Sequence, residues 1–421
     1  MQGEILRALL DWNPWIGGKF PKELAGTSRD YQLEQFLQIP EIKILEGARR
    51  VGKSTLFYQM VEKLLKKGEP VLYINFEDEI LKSYTLSEIL SAFRQKEEIR
   101  NLFIDEIQNC KEWVPFLRKS YDRREIPQIW ISGSNSSLIK QEFATLLTGR
   151  NITIDVSTLS FREFLRFKST DGLYPFSTHK ETQIKSLFLE YMAIGSFPAV
   201  VLRPVLQKEL LISYFEDFIY KDIASRHEVN AGKIRELGIY LATNCAKPFT
   251  YRGCAKALGM HPNTIMDYCS YFYEIFLFQE LYKFDYSLKK QMGSDKKIYI
   301  VDTGLANAIS FRFSEDQGRV LENIVFNELK RRREEIYFHK KNYECDFLLK
   351  RELHIATAIQ VTKSVEDSDV KKREIRGLLE AMHTHQLSDG LILTMEEEGT
   401  EKWEDKTIKI FPVWKWLLKM D

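Results

Sequence analysis

Residues 45–56, LEGARRVGKSTL, contain the spacing G-x-x-x-x-G-K-[ST], which is typical of loops that bind nucleotide phosphates. The motif follows an apolar run and precedes a helical pattern, the context that it requires, so a chance match in an ordinary loop is the weaker interpretation. Backbone N–H groups can surround the β-phosphate, Lys53 can contact the β- and γ-phosphates, and Ser54 can bind Mg²⁺. The predicted nucleotide-binding residues are Gly47, Ala48, Arg49, Arg50, Val51, Gly52, Lys53, Ser54 and Thr55.

A pair of carboxylates follows the apolar run LFI. Asp105 ends this predicted strand, where it can hold Mg²⁺ through water, and Glu106 beside it can polarise an attacking water. The pair could also be a solvated strand end, but its position after a phosphate loop and an intervening apolar strand favours catalysis. We therefore predict hydrolysis of ATP with Mg²⁺, with Ser54 and Asp105 as metal ligands and Lys53 and Glu106 as catalytic residues.

Two further candidates follow the next strand. The run ISGSN places Ser132, Ser134 and Asn135 at the same edge, and Asn135 is the predicted sensor of the γ-phosphate, with helix capping as the alternative. Arg150 follows the helix stop at Gly149, and it can either cap the helix end or reach into the nucleotide site of a neighbouring subunit. The second interpretation predicts a homo-oligomer, a ring or a dimer.

The elements that position these residues can be predicted from apolar periodicity. Between 41 and 157, five apolar runs alternate with amphipathic segments, which indicates a parallel sheet covered by helices. Residues 231–310 show three helical segments and a hairpin, the order of a winged helix-turn-helix. The predicted domains are an N-terminal helical segment at 1–40, a nucleotide-binding core at 41–160, a helical lid at 161–230, a winged helix at 231–310 and an α/β domain at 311–421.

Length and composition limit the classes of protein to which the chain can belong. At 421 residues the chain exceeds what one hydrophobic core usually fills, and 44% hydrophobic residues are enough for globular domains. The formal net charge of +1 predicts that any nucleic acid must be bound by a local patch. Five scattered cysteines without a C-x-x-C pair indicate a reducing compartment, so we expect a cytoplasmic location. No segment reaches the roughly 18 apolar residues that span a bilayer, so no membrane is expected.

The ordered motifs GARRVGKST, LFIDEIQ, ISGSNSSL, LLTGR, LSFREFL and GSFPAV resemble a group of AAA+ ATPases, of archaeal type and bacterial, that carry a winged helix and a PD-(D/E)XK nuclease-like domain. The resemblance covers almost the whole chain. It implies an α/β fold with a P-loop AAA+ core whose parallel sheet has the order five-one-four-three-two. It also implies a helical lid, a winged helix-turn-helix and a C-terminal domain of the restriction-endonuclease type.

The predicted winged helix offers candidate DNA contacts. A recognition helix starting at Pro262 would present short polar side chains to phosphates or base edges. The hairpin beyond it carries lysines that would form a basic tip suited to a phosphate backbone, although a protein contact or a solubilising tip is the alternative. The predicted DNA contacts are His261, Asn263, Thr264, Lys289, Lys290, Lys296 and Lys297.

The C-terminal segment resembles the nuclease domain incompletely. By resemblance, Glu322 matches the helical acid and Asp346 the strand acid. Gln360 and Thr362 stand where a carboxylate and a lysine are expected, and strand alternation places Lys363 on the other face unless a bulge intervenes. The candidate degenerate site is therefore Glu322, Asp346, Gln360 and Lys363, with Glu344 and the basic helix that includes Lys371, Lys372, Arg373 and Glu374 as possible substitutes.

These expectations combine into one predicted function: a Mg²⁺-dependent, ATP-hydrolysing AAA+ protein that acts on duplex or branched DNA and does not cut it. Two alternatives stay open. One is a nucleotide-operated protein-interaction switch with no DNA role, and the other is an ATP-controlled DNA nuclease.

Overall fold

The structure is a computed structural model that describes residues 2–94, 97–133, 148–172, 176–310 and 317–419. The chain forms two compact units. Unit 1 comprises Met1–Ser157 and Glu274–Phe276, and unit 2 comprises Thr158–Tyr273 and Leu277–Asp421. Within the described ranges, no helix combines the length and apolar character needed to cross a membrane.

Unit 1 is built on a parallel sheet of five strands, all five of which were predicted from the apolar runs. The order is β2-β3-β4-β1-β5, which is five-one-four-three-two when read from β5. Strands β2 and β3 are buried along their whole length, and such strands are nearly continuously apolar because helices cover both faces. The strands are β1 (Ile42–Glu46), β2 (Val71–Asn75), β3 (Asn101–Asp105), β4 (Gln128–Gly133) and β5 (Asn151–Asp155).

The N-terminal segment predicted for 1–40 lies within unit 1. The side-chain amide of Asn13 donates to the carbonyl oxygens of Leu9 and Tyr73 at 2.7 Å, and its oxygen accepts from the backbone N–H of Tyr73 at 2.7 Å. This buried amide therefore joins the segment to β2. The helices of unit 1 are α1 (Gln2–Trp12), α2 (Lys22–Ala25), α3 (Lys53–Lys66), α4 (Leu86–Arg94) and α5 (Trp113–Asp122), with 3-10 turns at Leu33–Gln38, Leu81–Ser83 and Ile107–Asn109.

Unit 2 begins with helices, as predicted for 161–230. Ser160 starts the first helix through a capping box with Glu163, in which each side chain accepts from the other residue's backbone N–H. Pro198 begins a later helix at its first position, where a missing N–H costs nothing. These helices are α6 (Phe161–Phe167), α7 (Thr178–Ile194), α8 (Pro198–Leu202), α9 (Gln207–Asp217) and α10 (Ser225–His227), with a π-helical segment at Phe218–Ala224 before α10.

The next part of unit 2 joins five helices to a small antiparallel sheet. Its strand order is β6-β8-β7, and a short helix connects β7 to β8. The helices are α11 (Ala231–Thr243), α12 (Tyr251–Leu258), α13 (Pro262–Glu274), α14 (Leu288–Gly293) and α15 (Thr303–Ile309). The strands are β6 (Pro248–Phe249), β7 (Phe278–Tyr282) and β8 (Lys296–Ile300).

The C-terminal part of unit 2 is a six-stranded mixed sheet with the order β9-β10-β11-β12-β14-β13. The pairs β11/β12 and β12/β14 are parallel, and the other three pairs are antiparallel. The strands are β9 (Glu335–Lys340), β10 (Glu344–Arg351), β11 (His354–Val361), β12 (Asp389–Thr394), β13 (Gly399–Trp403) and β14 (Lys406–Pro412). The helices are α16 (Gln317–Arg331), α17 (Ser368–His385) and α18 (Val413–Leu418).

Candidate functional site

The loop between β1 and α3 has the backbone that a phosphate loop needs. Gly47 has a φ of 153°, and a Cβ at this position would collide with the backbone carbonyl oxygen of Val156. Gly52 has a φ of 98° at the start of α3, and Arg50 also has a positive φ of 71°. Left-handed residues of this kind bend a loop so that its N–H groups can converge on an anion.

Lys53 is the first residue of α3, and its side chain is buried. Its ammonium group donates to the carbonyl oxygens of Gly47 at 2.9 Å and Ala48 at 3.0 Å. The cation therefore lies inside the curve of the loop. This is the place from which a lysine can contact the β- and γ-phosphates of a bound nucleotide.

Arg29 supports the loop from the N-terminal segment. Its guanidinium donates to the carbonyl oxygens of Val51 at 2.8 Å and Ser157 at 2.9 Å, and the residue is buried. Arg29 was not among the predicted site residues. The carbonyl groups of Val51 and Ser157 lie 22 and 128 residues from it, and no local sequence motif predicts such contacts.

Asp105 brings the predicted metal ligands together at the carboxyl end of β3. Its carboxylate is buried and accepts hydrogen bonds from the hydroxyl groups of Tyr73 at 2.7 Å and Ser132. Burial and then the charge of Glu106 raise the pKa of Asp105, whereas the hydroxyl groups of Ser132, Ser54 and Tyr73 lower it. The predicted pair of Ser54 and Asp105 therefore lies on the same side of the site.

This donor set fits Mg²⁺. Hydroxyl and carboxylate oxygens are ligands that Mg²⁺ prefers, and protein sites commonly supply one or two of them while phosphates and water complete the octahedron. Among the described residues, no group of three or more His, Cys, Asp or Glu side chains is arranged to hold a metal ion. At this site, Ser54 and Asp105 would supply two oxygen ligands, and the phosphates of a bound nucleotide and water would supply the others.

Glu106 has an unusual backbone. Its φ and ψ of 53° and 50° are left-handed, a conformation that non-glycine residues rarely adopt and that is often found at functional sites. Its N–H donates to the Ser132 hydroxyl at 3.3 Å, and its carboxylate accepts from the Gln108 amide. Ser132 thus contacts both acidic residues. Ser132 was predicted to lie at this edge of the sheet, but the predicted sensor was Asn135. Asn135 lies outside the described residues.

Arg150 is paired within its own chain. Its guanidinium donates to the two carboxylate oxygens of Asp122 at 2.8 and 3.4 Å and to the carbonyl oxygen of Thr148 at 3.3 Å. The hydrogen bond from Arg150 lowers the pKa of Asp122. A role in a neighbouring subunit would require Arg150 to leave this ion pair. That role stays a prediction.

Unit 2 contains an open cavity of about 600 Å³ where the nuclease-like acids were expected. The ammonium of Lys297 lies 2.8 Å from Glu322, 2.8 Å from Glu344 and 2.9 Å from Asp346, and Lys297 is only 1% exposed. Glu322 also accepts from the Tyr299 hydroxyl at 2.7 Å. We call Lys297, Glu322, Glu344 and Asp346 the lysine–carboxylate cluster.

The charges of the cluster depend on one another. Burial opposes the charge on Lys297, but Asp346 and Glu322 raise its pKa well above the ordinary value. Burial and Asp346 raise the pKa of Glu322 to about 7, although Lys297 lowers it. One ammonium therefore does not fully offset the buried carboxylates around it.

The structure corrects the expectation that Lys296 and Lys297 are exposed on a basic tip. They lie on β8, where alternate side chains point to opposite faces. Lys297 enters the cluster, and Lys296 lies 3.1 Å from Glu280 with its ammonium 4.6 Å from the ring centre of Tyr251. Lys289 and Lys290 do lie exposed, on α14.

The segment in which Gln360 and Thr362 replace the expected carboxylate and lysine also has a defined arrangement. Gln360 donates to Glu374 at 2.6 Å, accepts from the Asp346 N–H at 3.3 Å and lines the cavity. Lys363 lies beyond the end of β11 and is exposed, and Thr362 lines the cavity. The proposed membership of Lys363 in the site is therefore wrong. The lysine of the site is Lys297, from a strand outside the six-stranded sheet.

The predicted recognition-helix residues lie at the start of α13. His261 and Asn263 are exposed, Thr264 is half-buried, and the His261 ring nitrogen Nδ1 accepts from the Asn263 N–H at 3.3 Å. Their exposure is compatible with a contact to a partner, and their role in DNA binding stays a prediction.

Comparisons with known proteins find two families along the chain. The AAA domain family matches residues 40–165, and a domain of unknown function, DUF8612, matches residues 185–316. The chain is 34% identical over 403 residues to uncharacterized protein MJ1544 of Methanocaldococcus jannaschii, covering 90% of this chain and 88% of that protein. It is 30% identical over 373 residues to an uncharacterized protein of Haemophilus influenzae, covering 82% of this chain and 90% of that protein.

Solved structures are more distant. AMPPCP-bound DnaA from Aquifex aeolicus matches with a TM-score of 0.27 at 14% identity, covering 57% of this chain and 86% of that chain. The Hsp104–ADP complex of S. cerevisiae matches with a TM-score of 0.31 at 12% identity, covering 60% of this chain and 40% of that chain. These scores are too low to establish a common overall fold, so the family assignment depends on the sequence comparisons.

Proposed function

Because this chain belongs to the same family as uncharacterized protein MJ1544 and carries an AAA domain at residues 40–165, we propose that it binds ATP with Mg²⁺ and hydrolyses it. The observation that carries the proposal is the glycine loop that curves around the ammonium of Lys53, with Ser54 beside the buried Asp105. Nucleotide-binding sites of this class need these three groups in one place.

Each residue has a separate task in the proposed reaction. Lys53 contacts the phosphate oxygens, and Ser54 and Asp105 hold Mg²⁺, which neutralises charge on the phosphates when it is bound. Glu106 orients the attacking water and accepts its proton. Its position directly after Asp105, in a left-handed backbone conformation, supports this role. Ser132 keeps the two acidic residues in register through hydrogen bonds to both.

The proposed assembly is a homo-oligomer, a ring or a dimer, in which Arg150 reaches the nucleotide site of a neighbouring subunit. Asn135 is the proposed γ-phosphate sensor. All five cysteines are free and buried, which supports a reducing cytoplasm as the location.

The second part of the proposal is that unit 2 binds duplex or branched DNA without cutting it. Exposed Lys289 and Lys290 on α14 and the polar start of α13 support DNA contact through a winged helix. The cavity carries the acids of a nuclease-like domain, but a lysine already lies among them. The metal that nuclease chemistry needs does not fit this arrangement.

Steady-state phosphate release tests the first part of the proposal. The wild-type chain should hydrolyse ATP only with Mg²⁺, and Lys53→Ala should lose most of its nucleotide affinity. Lys63→Ala is the matched control, since Lys63 lies on the same helix in an exposed ion pair with Glu34. No Mg²⁺-dependent release by the wild-type chain, alone or with DNA, would contradict the proposal.

DNA binding is tested separately. Retention of labelled linear, forked and four-way DNA should fall with rising salt, and Lys289→Ala combined with Lys290→Ala should weaken retention of each DNA. Incubation with Mg²⁺ and then Mn²⁺ should yield no cleavage products. Cleavage that Asp346→Ala abolishes would favour the ATP-controlled nuclease, and no retention at low salt would favour the protein-interaction switch.

A further inference from the structure

The lysine–carboxylate cluster has the geometry of a cation site whose cation is a side chain. Three carboxylate oxygens, from Glu322, Glu344 and Asp346, surround one nitrogen at 2.8 to 2.9 Å. Glu322 comes from α16 and the other two from β10, whereas the cation comes from β8. Carboxylates converging from two elements are the ligand set that a hard divalent ion takes.

We infer that the ammonium of Lys297 takes the position of the metal ion in this carboxylate cluster and closes the cluster to divalent cations. A metal would need its oxygen ligands at about 2.0–2.1 Å for Mg²⁺, and the nitrogen of Lys297 lies at the point where those ligands converge. Metal and ammonium cannot share that point.

Burial explains why the lysine stays in place. Lys297 is 1% exposed, and its strand is paired on both edges, Lys297 lying opposite Pro248 of β6 and Leu281 of β7. This pairing fixes the backbone of Lys297 beneath the carboxylates, and its side chain has little access to water. If the ammonium left the cluster, the three carboxylates would lose the cation that they share, and buried charges without a partner are strongly destabilising.

The charges within the cluster do not balance. One ammonium offers a single positive charge to three carboxylates, and burial together with the charge of Asp346 raises the pKa of Glu322. A divalent ion would offset more of that charge. Removing the ammonium should therefore turn the cluster into a site for Mn²⁺ or Mg²⁺.

The test is Mn²⁺ binding by the full chain without nucleotide, measured by the loss of the free Mn²⁺ signal in electron paramagnetic resonance. Lys297→Met should bind one additional Mn²⁺ at least ~10-fold more tightly than the wild type, because the ammonium no longer occupies the position of the ion or repels it. Lys297→Met combined with Asp346→Asn should return to the wild-type isotherm. Lys296→Ala is the matched control, since Lys296 is the neighbouring lysine on β8 and is paired with Glu280 instead.

Several results would overturn the inference. One is a Lys297→Met chain that binds no more Mn²⁺ than the wild type, and another is a wild-type isotherm that Asp346→Asn weakens. If Lys297→Met fails to fold in chelator, Mn²⁺ should restore its thermal transition, and failure of Mn²⁺ to restore it would count against the inference. The inference concerns the pocket of the proposed DNA-binding unit, but metal affinity, ATP turnover and DNA retention are separate measurements, so each can fail alone.

Discussion

Ser132→Ala is the substitution that tests the geometry of the ATP site most specifically. The Ser132 hydroxyl donates to the Asp105 carboxylate and accepts from the Glu106 N–H at 3.3 Å. A hydrogen bond to a charged group contributes about 1.5–3 kcal/mol. Because about 1.4 kcal/mol corresponds to a factor of ten, ATP turnover should fall roughly 10- to 100-fold.

The substitution should also change the pH dependence of turnover. Burial already raises the pKa of Asp105, and the Ser132 hydroxyl is the largest of the contacts that lower it. Without this donor, the pKa of Asp105 rises further and the proton competes more strongly with Mg²⁺. The acidic limb of the pH–rate profile should therefore move to higher pH, and the Mg²⁺ concentration for half-maximal rate should increase.

Ser120→Ala is the matched control for Ser132→Ala. Ser120 is also buried in unit 1, and its hydroxyl has no hydrogen-bond partner within the described part of the chain. Both chains are assayed for phosphate release across pH and Mg²⁺ concentration. If Ser132→Ala behaves like Ser120→Ala, Ser132 does not organise the acidic pair and the account of the site is refuted.

Three further predictions concern assembly, buried charge and the loop. Mixing Arg150→Ala with Glu106→Gln subunits should restore part of the ATPase activity, and a mixture no more active than its components would remove the role in a neighbouring subunit. Burial lowers the pKa of Lys43 from 10.5 to about 8. The buried charge therefore lowers the free energy of unfolding by its full amount below pH 8, and this penalty disappears as the pH rises to 10.5. Over that range the free energy of unfolding in urea should rise by about 3 kcal/mol more for the wild type than for Lys43→Met, and parallel curves would contradict this. Gly47→Ala should abolish nucleotide binding, while Gly68→Ala, also at positive φ but with open space around it, should not; equal binding by both chains would contradict the role of the Gly47 close approach.

The parts of the fold that could be predicted from sequence are those with a local cause. Strands β1 to β4 appear as apolar runs because they are buried on both faces, and the phosphate loop appears because glycines are needed at fixed spacing. Asp105 was identified for the same reason, since it ends an apolar strand. Each of these signals lies within a few residues of its consequence.

The wrong expectations concern contacts between residues far apart in sequence. The two adjacent lysines Lys296 and Lys297 indicated an exposed hairpin tip. The acidic partners of Lys297, Glu322 and Asp346, lie 25 and 49 residues away, and nothing in the sequence near Lys297 indicates these contacts. The support that Arg29 gives to Ser157 spans 128 residues, and its partner is a backbone carbonyl that no side-chain pattern marks. Such contacts depend on the tertiary fold.

The central claim is that Glu106 activates water beside a site where Lys53, Ser54 and Asp105 hold ATP and Mg²⁺. The most direct measurement compares equilibrium binding of labelled ATP with its single-turnover hydrolysis in wild-type and Glu106→Gln chains. Glu106→Gln should bind ATP as the wild type does and hydrolyse it at least ~100-fold more slowly, the size of a general-base contribution. Wild-type hydrolysis by Glu106→Gln, or loss of ATP binding in that chain, would contradict the account.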